Sequence, residues 1–335
     1  MQLIKPGTRI DFVGQSRTCG LVSIALVCLS VVLMFFPGFN FGIDFAGGTV
    51  LEVRVPQEAG AVDEGRVREA VSSAGYPDSV IVRIDPPEEY PEDRAFRINV
   101  AVSEEESRGL AAELVDGLSK EFSAEVVPQL IESIGPRVGK ELRRAGVGAL
   151  LLSWALILIY IWFRFDLRYA PGAVAALIHD VLITAGVFVA LGLEFNLQVL
   201  AALLVVIGYS LNDTIVIYDR IRENLEERGT THLEDVVNQS INQTLSRTLL
   251  TSLTTLIVVM ALLVLGGPVL GDFALALLIG VTVGTYSTIY VASALLIFLE
   301  RRYGTATSPA RVQAKPQEAG PKQGRPKKGK GKAKA

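Results

Sequence analysis

The sequence predicts a polytopic α-helical membrane protein with six transmembrane helices and one external α+β domain of ferredoxin-like pattern. Three observations carry this. Half of the 335 residues are hydrophobic and only 20% are charged. With a mean hydropathy of +0.40, the chain is too apolar for an ordinary soluble domain. Uncharged runs recur at Thr18–Phe36, Ala145–Phe163, Phe195–Asn212, Thr248–Gly271 and Phe273–Leu299, each near the ~20 residues that cross ~30 Å of hydrocarbon. A sixth run, Pro171–Leu193, is interrupted by His179 and Asp180. Between the first two runs lies a polar stretch whose apolar residues alternate as in strands or recur at helical spacing.

The expected segments are a cytoplasmic N-terminus 1–17, a first span 18–37, an external domain 38–143, spans two to six within 144–300, and a basic tail 301–335. Lys5, Arg9 and Arg17 precede the first span, and Arg164 and Arg168 lie between spans two and three. Arg220, Arg222 and Arg228 follow span four, and Arg301 and Arg302 follow span six. The short loops of the other face hold Glu194 and Asp272 but no Lys or Arg. The positive-inside rule then puts both termini in the cytoplasm. The first span is long and lacks a small-x-small cleavage site, so it reads as retained rather than as a signal peptide. Cys19 and Cys28 sit nine residues apart within it and cannot pair with each other.

In the external domain, Thr49–Val55 alternates, with Leu51, Val53 and Val55 on one face. Val62–Ala74 reads as a helix, Ser79–Asp85 and Ala95–Val102 as strands, Glu104–Phe122 as a second helix and Ala124–Ile131 as a last strand. The order β-α-β-β-α-β is that of a ferredoxin-like domain. Pro86–Asp93 is then the loop between the central strands. The tail holds eleven Lys or Arg against one acid, Glu318, and its Lys, Gly, Pro and Ala cannot bury a core.

The chemistry concentrates at Asp213. A charge within hydrocarbon costs roughly 3 kcal/mol at the least, and Asp213 lies about 6 Å inside the polar end of span four at 1.5 Å per residue, with Tyr209 and Ser210 one turn before it on the same face as polar company. Arg247 opens span five, an antiparallel neighbour, and Thr251, Thr254 and Thr255 continue a polar stripe below it. A carboxylate beside a permanently charged guanidinium can alternate between an unpaired protonated state and a paired ionised one. Asp180 is a secondary candidate in such a relay, with His179 beside it, the alternative being a local polar packing contact between helices. Asn212 is placed either to hold Asp213 or simply to bridge helices. Ala276, Gly280 and Gly284 form a small-xxx-small ladder suited to close helix approach. Gly135–Glu141 resembles a P-loop but lacks one spacer and the Ser or Thr after Lys140. Two histidines and no H-E-x-x-H exclude the common zinc-protease pattern.

Three stretches, FGIDFAGGT at 41–49, SIGPRVGKELRRAG at 133–146 and IGYSLNDTIVIYDRIREN at 207–224, resemble the SecF family of the bacterial Sec protein-export machinery, within the SecD/SecF group and the RND superfamily. The resemblance implies an RND-type half of six spans that pairs with SecD and associates with the SecYEG channel and a translocating preprotein. It implies an accessory, non-enzymatic subunit in the bacterial cytoplasmic membrane that uses the proton-motive force in late export. No cofactor, metal or specific nucleic acid is expected beyond the lipid bilayer. The family's transmembrane Asp falls on Asp213 and its span-five Arg on Arg247, while its G-x-D-F-x-G-G motif falls on Gly42, Asp44, Phe45, Gly47 and Gly48. Those glycines read as a turn joining span one to the external sheet. The alternatives are an RND-type proton-coupled transporter of lipid or small molecules, an aspartyl protease with Asp180 and Asp213 as its dyad, and a purely structural subunit. The protease reading lacks its G-x-G-D context.

Overall fold

The computed structural model describes residues 9–87, 89–102, 107–165, 168–228 and 233–303. In chain order these form α1 (Phe12–Phe35), β1 (Asn40–Phe41), the single turn α2 (Ile43–Ala46), β2 (Gly48–Val55), α3 (Glu64–Ser73), β3 (Val80–Ile84), β4 (Arg94–Val100), α4 (Ser107–Phe122) and β5 (Val127–Ile134). Then follow α5 (Pro136–Arg164), α6 (Ala170–Ala190), β6 (Glu194–Phe195), α7 (Leu197–Arg228), α8 (Leu233–Leu265), α9 (Gly267–Ser287), a π turn (Thr288–Ala292) and α10 (Ser293–Tyr303).

Hydrocarbon offers no partner for a backbone N–H or C=O, so apolar runs of this length close their hydrogen bonds within one helix. Among the described residues six helices are long and apolar enough to cross a membrane: α1, α5, α6, α7, α8 and the rod that the π turn makes of α9 and α10. α6 is the central one. Of its most apolar window 67% is buried, against 11% for α1 and α5, whose Leu21, Ile24, Leu151 and Leu152 face outward. Small residues set the spacing. A Cβ on Gly186 of α6 would lie 2.3 Å from the Ser30 Oγ of α1, and one on Gly280 of α9 equally close to Val206 of α7. The Ala276–Gly280–Gly284 ladder is thus the seam on which α7 and α9 meet.

β2 to β5 form an antiparallel sheet in the order β3-β4-β2-β5. This is the split β-α-β arrangement, with Leu51, Val53, Phe96 and Ile98 packed against Val67, Val71, Leu110, Leu114 and Leu118 of the two helices. The last strand lies three residues further along than its alternation suggests. Ser123 turns the chain in the left-handed region (φ 51°), Ser119 Oγ accepts the Val126 N–H, and Ile134 rather than Ile131 pairs opposite Gly48. Arg54 pairs with Asp93 and lies 3.9 Å from the Tyr90 ring centre, which closes the β3–β4 loop. The guanidinium holds the Asp93 carboxyl below the usual carboxylate range. Glu88 of that loop, the start of the expected second helix at 103–106, and the tail from 304 onward lie outside the described residues.

α5 starts at Pro136, well before the uncharged run, because proline suits the first helical position and its missing N–H costs nothing there. The P-loop-like Gly135–Glu141 is therefore the cap residue after β5 and the first turns of α5. At the other end of the bundle α8 straps the start of α1. Asn238 Oδ1 accepts the Phe12 and Val13 N–H groups at 2.8 and 3.3 Å, and Asn242 exchanges two hydrogen bonds with the Ile10 backbone at 2.8 Å each.

Candidate polar site within the helix bundle

Asp180 is fully buried at the meeting of α6, α7 and α9. Its Oδ2 accepts Ser210 Oγ at 2.6 Å and Ser287 Oγ at 2.9 Å, and its Oδ1 lies 3.0 Å from His179 Nδ1. A buried carboxylate is tolerable only with such partners. The approach depends on Gly284, where a Cβ would meet Ser210 Cβ at 3.1 Å and Asp180 Oδ2 at 3.5 Å. One turn on, Thr214 Oγ1 and Thr288 Oγ1 lie 3.1 Å apart, and Thr288 opens the π turn. The carbonyl of Ala292, the last residue of that turn, accepts Tyr218 Oη at 3.1 Å, and Ser293 Oγ donates to Thr288 O. Such turns concentrate where function needs a helix to be locally irregular.

Asp213 is 3% exposed, and its Oδ2 has no hydrogen-bond partner among the described residues. Thr251 and Ser252 of α8 face it, with Arg247 at Coulombic range. Ser252 Oγ in turn sits 2.8 Å from Thr285 Oγ1 of α9. Asp213 and Arg247 form no closed ion pair among the described residues, which is the unpaired one of the two arrangements such a couple can take. Arg247 lies one turn nearer the polar end and is exposed, where a long side chain keeps its charge at the rim. Thr248, one residue on, is buried with its own hydroxyl unpartnered. Asn212 does not hold Asp213 either. It is exposed and lines a groove with Ile157, Tyr160 and Gly208, on the side of α7 that faces α5. Thr254 is likewise exposed, its hydroxyl spent on the Leu250 carbonyl of its own helix.

The glycine motif does more than turn the chain. β1 pairs in parallel with β6, and the Gly42 N–H donates to the Phe195 carbonyl at 3.1 Å. Asp44 Oδ2 accepts the Leu197 N–H at 2.8 Å, capping α7 beside Asn196, whose Oδ1 accepts the Val199 N–H at 3.0 Å. Phe45 is buried between Phe41 and Phe195. Gly47 (φ +78°) and Gly48 (φ +135°) sit where a Cβ would lie 2.6 Å from Pro136 Cα and from the Val100 carbonyl respectively, so no other residue fits. Around this joint Asn99 donates to Glu194, Arg97 pairs with Glu52 at 2.7 Å, and Asn196 donates to Asp272 at 3.2 Å. Burial pushes the Glu194 carboxyl up, with Arg97 and Asn99 opposing and Asp272 and Asp44 adding to it.

A family model described as protein export membrane protein SecD/SecF, C-terminal, matches residues 115–302, and one described as the SecD/SecF GG motif matches residues 32–58. The chain is 45% identical over 303 residues to a protein translocase subunit SecF from Magnetococcus marinus, covering 90% of this chain and 95% of that one. It belongs to the SecD/SecF family. The protein translocase subunit SecDF of Thermus thermophilus is 42% identical over 304 residues, with 90% of this chain and 40% of that chain covered. A crystal structure of SecDF from a Thermus species, titled a translocon-associated membrane protein, superposes with a TM-score of 0.77 at 42% identity. A super-membrane-facing form of SecDF superposes with a TM-score of 0.65 at 41% identity. Each covers 90% of this chain and 40% of the solved one.

Within the SecD/SecF frame, both polar clusters fall inside the C-terminal match, whereas the α7-capping Asp44 falls inside the GG-motif match. Ser210, expected on the face of Asp213, serves Asp180 instead, and Ser287, the other hydroxyl that satisfies Asp180, escaped sequence reading. A serine in an apolar helix signals little by itself, and Ser287 is 107 residues from the carboxylate it serves.

Proposed function

We propose that this chain is an accessory subunit of the Sec protein translocase that works with SecD and uses the proton-motive force to promote late steps of export. The carrying observation is Asp213, almost fully buried, with one oxygen unpartnered and Thr251, Ser252 and Arg247 facing it from α8. In a SecD/SecF family member, such a group is suited to bind a proton and give it up again. When Asp213 is ionised the Arg247 charge draws α7 and α8 together, and when it is protonated that attraction is lost. A proton crossing a 100 mV potential supplies ~2.3 kcal/mol, comparable with breaking one such interaction.

In this reading both termini lie in the cytoplasm of a bacterial inner membrane, and the α/β domain lies outside it. The SecYEG channel and the emerging preprotein are the partners. The GG joint then carries helix movement outward, because it ties the first turn of α7, which also bears Asp213, to the sheet. Subunits with Asp213→Asn, co-expressed with SecD, are expected to assemble normally but to lose export stimulation that an uncoupler removes from the wild type. Undiminished, uncoupler-sensitive stimulation in that variant refutes the proton role and leaves a structural subunit.

A further inference from the structure

Two cavities adjoin at the end of the bundle where α1 begins, and they share Ala294 and Phe298 of α10. The first, about 580 Å³, is polar, with Asp11, Ser16, Arg17, Glu234, Asp235 and Arg301 in its wall. The second, about 520 Å³, is a nearly pure hydrocarbon groove between α1, α6 and α10. On α1 it runs from Gly20 to Cys28, a depth of about 12 Å at 1.5 Å per residue. One leaflet of a bilayer core is ~15 Å. A charged mouth that opens onto an apolar channel one leaflet deep has the shape and polarity of a phospholipid.

The charges narrow the class. Arg301 is already paired with Glu234. Arg17 is exposed and forms no ion pair among the described residues, so its guanidinium is available for a phosphate, which it can hold bidentately. Asp11 uses one oxygen to cap α1 at Gly14, and Asp235 is exposed. A head group without a cation would face these carboxylates unopposed. The wall is also built rather than incidental, because Asn238, which lines the mouth, is the residue that straps the start of α1.

We propose that these cavities bind one zwitterionic phospholipid, its phosphate on Arg17, its primary amine among Asp11 and Asp235, and one acyl chain in the α1–α6–α10 groove. The site has a consequence for the buried polar cluster. His179 lines the groove, and its Nε2 is buried without a hydrogen-bond partner among the described residues. A hydrocarbon chain in the groove keeps water from reaching the His179–Asp180 pair from the lipid side. The binding itself does not depend on the proton reading above.

Photo-crosslinking tests it. The full chain is reconstituted with phosphatidylethanolamine carrying a diazirine in one acyl chain, and the labelled residues are mapped by mass spectrometry. Labelling of Val27, Cys28, Leu182 and Leu295 is expected at about tenfold or more above that of the outward-facing Leu151, Leu152, Ile257 and Val258, a preference worth ~1.4 kcal/mol. Unlabelled phosphatidylethanolamine should abolish the preference, and phosphatidylglycerol should not. Arg17→Ala, at an exposed position that leaves the fold intact, and Ala294→Phe, which fills the seam, should both reduce groove labelling to the level of the outer faces. Uniform labelling would mean an ordinary lipid annulus and would overturn the site. Equal competition by phosphatidylglycerol would overturn the amine assignment. A groove shielded from lipid by a co-purifying polypeptide would make the face a helix-docking surface instead.

Discussion

Replacing Asp44 with alanine should loosen the first turn of α7 without disturbing the rest of the bundle. Four N–H groups at a helix start lack intrahelical partners. Here Asp44 Oδ2 takes the Leu197 N–H at 2.8 Å, and Asn196 Oδ1 takes the Val199 N–H. Losing an aspartate cap costs ~1 kcal/mol, and losing its negative charge at the positive end of the helix adds ~0.3–1 kcal/mol. Because Asn196 remains, the loss stops at one donor, so the expected sum is about 1.5 kcal/mol. Amide hydrogen exchange reads this locally. Peptides covering Leu197–Leu200 should exchange about tenfold faster in Asp44→Ala, since ~1.4 kcal/mol is a factor of ten, while peptides from α6 stay unchanged. Asp44→Asn keeps an acceptor and loses only the charge, so its effect should be about threefold. If Asp44→Ala leaves the α7 amides as protected as in the wild type, or if Asp44→Asn is as damaging as alanine, the capping argument fails.

Asp180→Ala removes the partner of Ser210 and of His179 Nδ1 and leaves Ser287 only the Gly284 carbonyl at 3.1 Å. With intramembrane hydrogen bonds averaging ~0.6 kcal/mol each and reaching ~1.7, a loss of about 2–3 kcal/mol is expected in a detergent-unfolding or steric-trapping measurement, with Asp180→Asn milder. Gly280→Ala puts a methyl 2.3 Å from Val206, and overpacking of this kind costs ~1–3 kcal/mol. Combining it with Val206→Ala should recover most of that loss, and a double variant no more stable than Gly280→Ala alone would refute the close-packed seam. The Glu194 carboxyl is raised above its ordinary 4.5 in the folded protein, so the fold favours the protonated form. Its contribution is fully present below that ordinary value and is lost as pH rises through the raised one. Thermal midpoints of the wild type should therefore fall relative to Glu194→Gln on going from pH 4 to pH 8, and parallel pH profiles would exclude Glu194 as the cause.

The sequence by itself determined the number and order of the spans and the β-α-β-β-α-β order of the α/β domain. Both follow from one-dimensional periodicity. A backbone in hydrocarbon has no choice but a helix about twenty residues long, and a half-buried sheet must alternate. It also determined that Asp180 and Asp213 need company, because an uncompensated carboxylate in an apolar helix is costly whatever the fold. Only the tertiary structure decided what that company is. Asp180 is the better satisfied of the two, through serines on α7 and α9 that no spacing rule connects to it. Arg247 stays at the rim rather than closing on Asp213, and Asn212 faces away, because a step of one residue turns a helix by about 100°. The GG motif shows the same division. Its glycines announced a tight turn, but that the turn is wedged against Pro136 and caps α7 through Asp44 depends on where three helices converge. That convergence is settled by packing at Gly139 of α5 against the Phe45–Gly47 backbone and at Gly146 against Leu200 of α7, and contacts between such distant residues leave no period in the sequence.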